Sequence, residues 1–212
     1  MKLSVLKVLL ASTFLSTASA QDTLYQAAPP PNASFVRVVN ALSGSALKFS
    51  LAGSAFEAAL ASHEVGPYHM VPKGTPVLEV DGLRLQQALH LSAGRFYTVA
   101  VTGTRQKPAL TVLSEAPNPN VAQVRIGLYN LSTSNVSLLT ADGKATLFKN
   151  QGPLSVNTLN VNPVNVQLRV DRDSQTLTTL EATKLQVWQA YSVFVFDGSP
   201  MTASFVASTT KP

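Results

Sequence analysis

The chain has 212 residues, no cysteine, three histidines and a formal charge of +5. The lack of cysteine excludes disulfide stapling, thiol catalysis and cysteine-ligated zinc or iron–sulfur centres. Lys and Arg are scattered singly, which does not support a nucleic-acid stripe, and a charged fraction of only 13% beside many Val, Thr, Ser, Leu and Ala points to an all-β protein.

In chain order, residues 1–20 read as a secretory signal. Lys2 and Lys7 flank an apolar run from Val5 to Leu15, and Ala18-Ser19-Ala20 puts small residues where a signal peptidase reads. The run is too short for a membrane span, so a retained anchor is the weaker reading. Cleavage is expected between Ala20 and Gln21. Loss of Lys2 and Lys7 lowers the charge by two, to +3. No later run of 18 apolar residues occurs, so the mature chain is expected to be soluble. Residues 21–33 form a Pro-rich leader with "QDTLYQAAPPPN", expected to be extended.

Strands follow. Phe35, Val36, Val38 and Val39 open the first. Ala46–Leu51, Pro76–Val80, Leu83–Leu91 and Phe96–Val101 come next, separated by turn pairs such as Ser43-Gly44, Lys73-Gly74 and Asp81-Gly82. Short strands with a turn every eight to twelve residues, roughly, argue for a sandwich or barrel. "SAFEAALASHEV" reads either as one short helix or as an irregular connection. "SEAPNPN", residues 114–120, has the composition of a linker.

The second half restates the first. "SFVRVVNAL" returns as "VRIGLYNLS". Asn40 matches Asn130 and Val80-Asp81 matches Val170-Asp171, both 90 residues on; "YTVAVTG" matches "YSVFVFDG" 94 residues on. The expected organisation is two tandem β-sandwich domains related by internal duplication, residues 34–113 and 121–212. From its Val-Arg start, "VRIGLYN" is two residues longer than "VRVVN", and a β-bulge would absorb the difference. Arg37 reads as an outward residue of an edge or half-buried strand, and Asn40 as the turn residue that ends it.

No residue set announces catalysis. His63, His69 and His90 have no ligand-type spacing, and all lie in the first half. Neither a Gly-x-Ser-x-Gly elbow nor a Gly-Asp-Ser-Leu signature is present. Asp171-Arg172-Asp173 lacks the further donors of a calcium loop and reads as a hairpin turn, as does "TADGK". Catalytic, metal-ligating and cofactor-binding residues are therefore expected to be absent. Trp188, Tyr191, Phe194 and Phe196 form the densest aromatic region. A sugar platform is conceivable there, but apolar residues on both faces favour a strand covered by the core or by the other domain.

The leader "LYQAAPPP", the strand "SFVRVVN", the block "YNLSTSNVSLLTADGK", the "NPV" at Asn162–Val164 and the closing "YSVFVFDG" occur in that order across the mature chain. In them the chain resembles the AlgF family of alginate biosynthesis proteins, exported accessory factors in O-acetylation of the polysaccharide alginate. The resemblance implies a Gram-negative periplasmic protein beside the acetyltransferases that modify alginate. It carries over no catalytic residue. The leading expectation is a non-catalytic adaptor bridging acetyltransferase components. The alternatives are a polysaccharide-binding module, favoured by the mild positive charge, and, last, an O-acetyltransferase, which would need an activated nucleophile and its base.

Overall fold

The computed structural model describes residues 29–118, 120 and 122–211, without the Lys211 side chain. The expected signal, the Ala20–Gln21 cleavage site and most of the leader lie outside them. Every regular element among the described residues is a β-strand.

The first half holds β1 (Ala33–Asn40), β2 (Leu47–Leu51), β3 (Ser54–Leu60), β4 (Glu64–Val65), β5 (Tyr68–Pro72), β6 (Val77–Val80), β7 (Leu85–Ala88), β8 (Phe96–Thr104) and β9 (Lys107–Glu115). The second holds β10 (Val124–Asn130), β11 (Val136–Thr140), β12 (Thr146–Gln151), β13 (Ser155–Val161), β14 (Asn165–Val166), β15 (Leu168–Arg172), β16 (Gln175–Thr179), β17 (Thr183–Lys184), β18 (Ala190–Phe196) and β19 (Thr202–Ala207). The short β20 (Thr210–Lys211) ends the described chain.

The same strand order appears twice. β5-β1-β8-β9 faces β3-β2-β6-β7 in the first half; β13-β10-β18-β19 faces β12-β11-β15-β16 in the second. This fits the expected pair of related sandwiches. Val36, Val38, Phe49, Leu78 and Val99 fill the first sandwich, and Ile126, Leu128, Leu138, Val170 and Val193 the second. A third apolar cluster joins the two. It takes Val39, Ala100 and Leu113 from the β1 sheet and Tyr129, Phe194 and Phe196 from the β10 sheet. Four sheets thus stack with apolar layers between them, and the two middle sheets are covered on both faces. β8 and β18 are accordingly buried on both sides.

Local details repeat as well. The Asn40 side chain accepts from Leu42 N at 3.1 Å and donates to Leu60 O at 3.1 Å; Asn130 accepts from Ser132 N at 3.1 Å and donates to Gln151 O at 3.0 Å. Both side chains are fully buried and bind the turn after their strand to a neighbouring strand. Tyr97 and Tyr191 each accept from the backbone five residues earlier, Ser92 N at 2.9 Å and Gln186 N at 3.2 Å.

Several expectations change. "SAFEAAL" is strand β3, paired with β2, and neither helix nor irregular loop. Its Ala and Glu suit a strand at the edge of its sheet, with several side chains exposed. β10 pairs with β13 and β18 in unbroken register, so it holds no bulge. Asn40 and Asn130 then fix a constant offset of 90 along the strand. The partner of Arg37 in the repeat is Gly127, and the Val-Arg match in the sequence is slid by two. β1 lies inside its sheet between β5 and β8, and Arg37 is 1% exposed, so it is not an outward residue. Ser114 and Glu115 belong to β9, so the first half outlasts its expected end at 113. β20, from the second half, pairs in parallel with β5 of the first.

Candidate functional site

The polar residues that assemble in space do so at the seam between the halves. Arg37 is the centre. Its alternation along β1 puts it on the face of Val39, away from the core of Val36 and Val38. That face meets the other sandwich. Arg37 Nε donates to Thr98 Oγ1 at 2.9 Å, Nη2 to Ser192 Oγ at 3.1 Å and Nη1 to Ser208 Oγ at 3.4 Å. Its guanidinium lies 4.4 Å from the Tyr68 ring centroid and 4.7 Å from those of Tyr129 and Phe194. Among the described residues no carboxylate lies within 4.0 Å of it. Three ring faces and three hydroxyls therefore replace the water that a cation would lose on burial.

Glu115 stands behind the rings. It accepts from Tyr68 Oη at 3.0 Å and from Tyr129 Oη. Burial raises the Tyr68 hydroxyl well above its ordinary range; Arg37 opposes the rise, and Tyr129 and Glu115 add to it. Burial raises Tyr129 in the same way, again opposed by Arg37 and aided by Glu115. Both phenols stay protonated donors at neutral pH. Arg37 and Glu115 are thus joined through two neutral tyrosines from different sandwiches.

A cavity of about 210 Å³ opens where this seam reaches the surface, lined by Tyr68, Phe96, Glu115, Arg125, Trp188 and Ser192 among others. Trp188 is 76% exposed, with φ +68°. A bulky residue in the left-handed region carries backbone strain. Tyr191 is in the second core, and Phe194 and Phe196 are in the seam, where the sequence placed them; Trp188 departs from that expectation by standing on the loop before β18. Arg125 donates from Nη1 to Ala116 O, and its Nε is buried without a partner among the described residues.

The histidines stay apart. His69 Nε2 is 2.6 Å from Glu57 Oε2, and its ring contacts Phe56. His63 Nδ1 is 2.9 Å from Thr202 Oγ1, and its ring stacks on Phe196 at 4.8 Å. Burial lowers the His63 pKa. Ser43 Oγ lies 3.5 Å from His63 Nε2, in an exposed setting. His90 is exposed. Asp171 accepts from Arg169 at 3.1 Å on β15, and the turn itself falls at Asp173-Ser174, both at positive φ. Asp142 accepts from Thr140 and Lys144 within its own turn. No group of three or more His, Asp or Glu among the described residues is placed to hold a metal.

Sequence reading missed Arg37, Tyr68, Glu115, Arg125 and Tyr129 as one constellation. A signal was present: Phe35, Val39 and Ala41 share Arg37's face, so that face is covered, and its arginine is covered with it.

Among known proteins, the family model described as "Alginate O-acetyl transferase AlgF" matches residues 7–192. The chain is 30% identical over 179 residues to the alginate biosynthesis protein AlgF of Pseudomonas aeruginosa, covering 82% of this chain and 78% of that one. It is 26% identical over 200 residues to its namesake in Pseudomonas putida, covering 92% and 90%. A solved structure of the C-terminal domain of AlgF from P. aeruginosa covers 41% of this chain and 98% of its own, at 29% identity and a TM-score of 0.38. No helix among the described residues is long and apolar enough to cross a membrane. A match over most of the chain, together with relatives aligned over most of their own length, places this protein in the AlgF family of alginate biosynthesis.

Proposed function

We propose that the protein is a non-catalytic adaptor for O-acetylation of alginate, bridging acetyltransferase components in the periplasm. The seam carries this reading. Two charged side chains that the fold gathers there are spent on internal partners: Arg37 on three hydroxyls and three rings, Glu115 on two phenols. The arrangement fixes two sandwiches as one body and leaves their outer surfaces for partners. His63 and His69 are likewise committed to neighbours within the protein. Acetyl transfer is supplied by the partners. Export by residues 1–20 delivers the chain to them.

The test is binding of the purified mature protein to the purified extracytoplasmic acetyltransferases of the same organism, alongside acetyl-ester turnover by the protein alone. The reading expects binding to at least one of them and no turnover. Failure to bind any, or turnover abolished by changing one Ser or His, would overturn it. N-terminal sequencing of protein from the periplasmic fraction should begin at Gln21; recovery in the cytoplasm alone would contradict the location.

A further inference from the structure

From the Trp188 loop and the adjoining cavity we infer an interaction surface for a protein segment that carries a carboxylate between apolar side chains. The inference rests on the adaptor reading and says where one partner binds. Trp188 projects from a loop tied down on both sides of it. Leu185 N donates to Val164 O at 2.9 Å, Gln186 N to Tyr191 Oη at 3.2 Å, and the Gln189 side chain to Ser208 O at 2.8 Å. An indole in strained backbone, largely exposed, on a pinned loop is an anchor already ordered before binding. Val187 is 43% exposed beside it, and Val164, tied to the same loop, is 49% exposed. Trp188 lines the cavity and the two valines belong to the loop that carries it or to the strand-end that pins it, and exposed apolar side chains of this kind are what binding hot spots are built from.

Charge selects the occupant. Arg125 lines the cavity together with Trp188, with no carboxylate within 4.0 Å among the described residues and its buried Nε unpartnered. Glu115, the carboxylate in the same cavity, already accepts from two phenols. Arg125 donates from Nη1 to a neutral carbonyl, Ala116 O, and what it lacks is a counter-charge, so the complementary group is a carboxylate. An anionic sugar also offers one. The exposed valines favour a protein, because a hydrated sugar chain would gain little by covering aliphatic side chains.

Trp188 is the only tryptophan, so labelling with 5-fluorotryptophan gives one reporter at the site. The labelled mature protein is titrated with each unlabelled acetyltransferase, followed by ¹⁹F resonance and, separately, by complex formation in gel filtration. The inference expects the resonance to move as the complex forms. It also expects Trp188→Ala to weaken binding at least about 30-fold and Arg125→Gln about tenfold, with Lys48→Ala on the opposite sandwich unchanged. Thermal melting of each variant establishes that it folds, and Arg125→Gln keeps the test alive if Trp188→Ala does not. A complex that forms with the resonance fixed and the variants unimpaired sinks this surface and leaves the adaptor reading standing. No complex with any acetyltransferase sinks both. A resonance that moves with oligomannuronate in place of protein assigns the surface to the polymer and overturns the inference.

Discussion

Arg37 and Gly127 hold the same position in the two repeats, and the hydroxyls beside them, Thr98 and Ser192, are also equivalent. Arg37 donates to both. One side chain thus serves the two copies, from the copy that has it. Arg37→Met keeps volume but leaves the hydroxyls of Thr98 and Ser192 without their buried donor. The expected loss is about 1–3 kcal/mol of stability, and Arg37→Ala, which adds a cavity, about 2–5 kcal/mol. Urea unfolding of both variants checks this. A variant as stable as the wild type would mean that the cation is not a structural element of the seam.

Gly127 makes room where its counterpart has an arginine. A Cβ there would lie 3.0 Å from Tyr129 Cε2. That ring cannot easily retreat, because it stacks on Phe194 at 4.6 Å and supports the Arg37 guanidinium. Gly127→Ala should cost about 1–3 kcal/mol by crowding, although alanine normally favours an ordered backbone over glycine. A raised melting temperature would contradict it.

The equivalent asparagines offer a matched pair. Asn40→Ala and Asn130→Ala each remove a buried amide that ties a turn to a neighbouring strand. Each should lower stability by about 2–4 kcal/mol, and by similar amounts, since each exposes comparable backbone groups to loss of partners. A large loss at one and none at the other would show that the repeat's geometry outlasted its energetic role in one copy.

Alkali should act through Tyr68 and Tyr129. Their hydroxyls are held above the ordinary value of 10.0, so the unfolded chain releases these protons first. Stability is full below about pH 10 and is lost as pH rises toward the folded values. Absorbance at 295 nm should show these two phenols ionising only together with unfolding. Reversible titration of all tyrosines in a folded protein would refute their burial.

Much of the fold was legible in the sequence because valine-rich strands, glycine turns and paired Asn and Tyr residues act locally. β3 was not, since Glu57-Ala58-Ala59-Leu60 states a helical preference that pairing with β2 overrides. The site was less legible. Alternation assigns Arg37 to a face but not what covers that face, and the cover comes from residues more than 150 positions away, Ser192 and Ser208. The repeat itself misled: Val36-Arg37 and Val124-Arg125 look equivalent, while their registers differ by two. Trp188 resisted for another reason. Its aromatic neighbours are core residues, and only the loop's backbone geometry turns it outward.

The pairing of Thr210–Lys211 with Tyr68–His69 has a consequence in time. Residues 210 and 211 are synthesised after the whole of the first sandwich, yet they cover an edge of its sheet. Until they arrive, that edge stays open to pairing with other chains, the condition that favours aggregation. The first sandwich therefore finishes after the second has begun, and a chain cut before Thr210 would carry its defect some 140 residues upstream, a span that follows from this pairing.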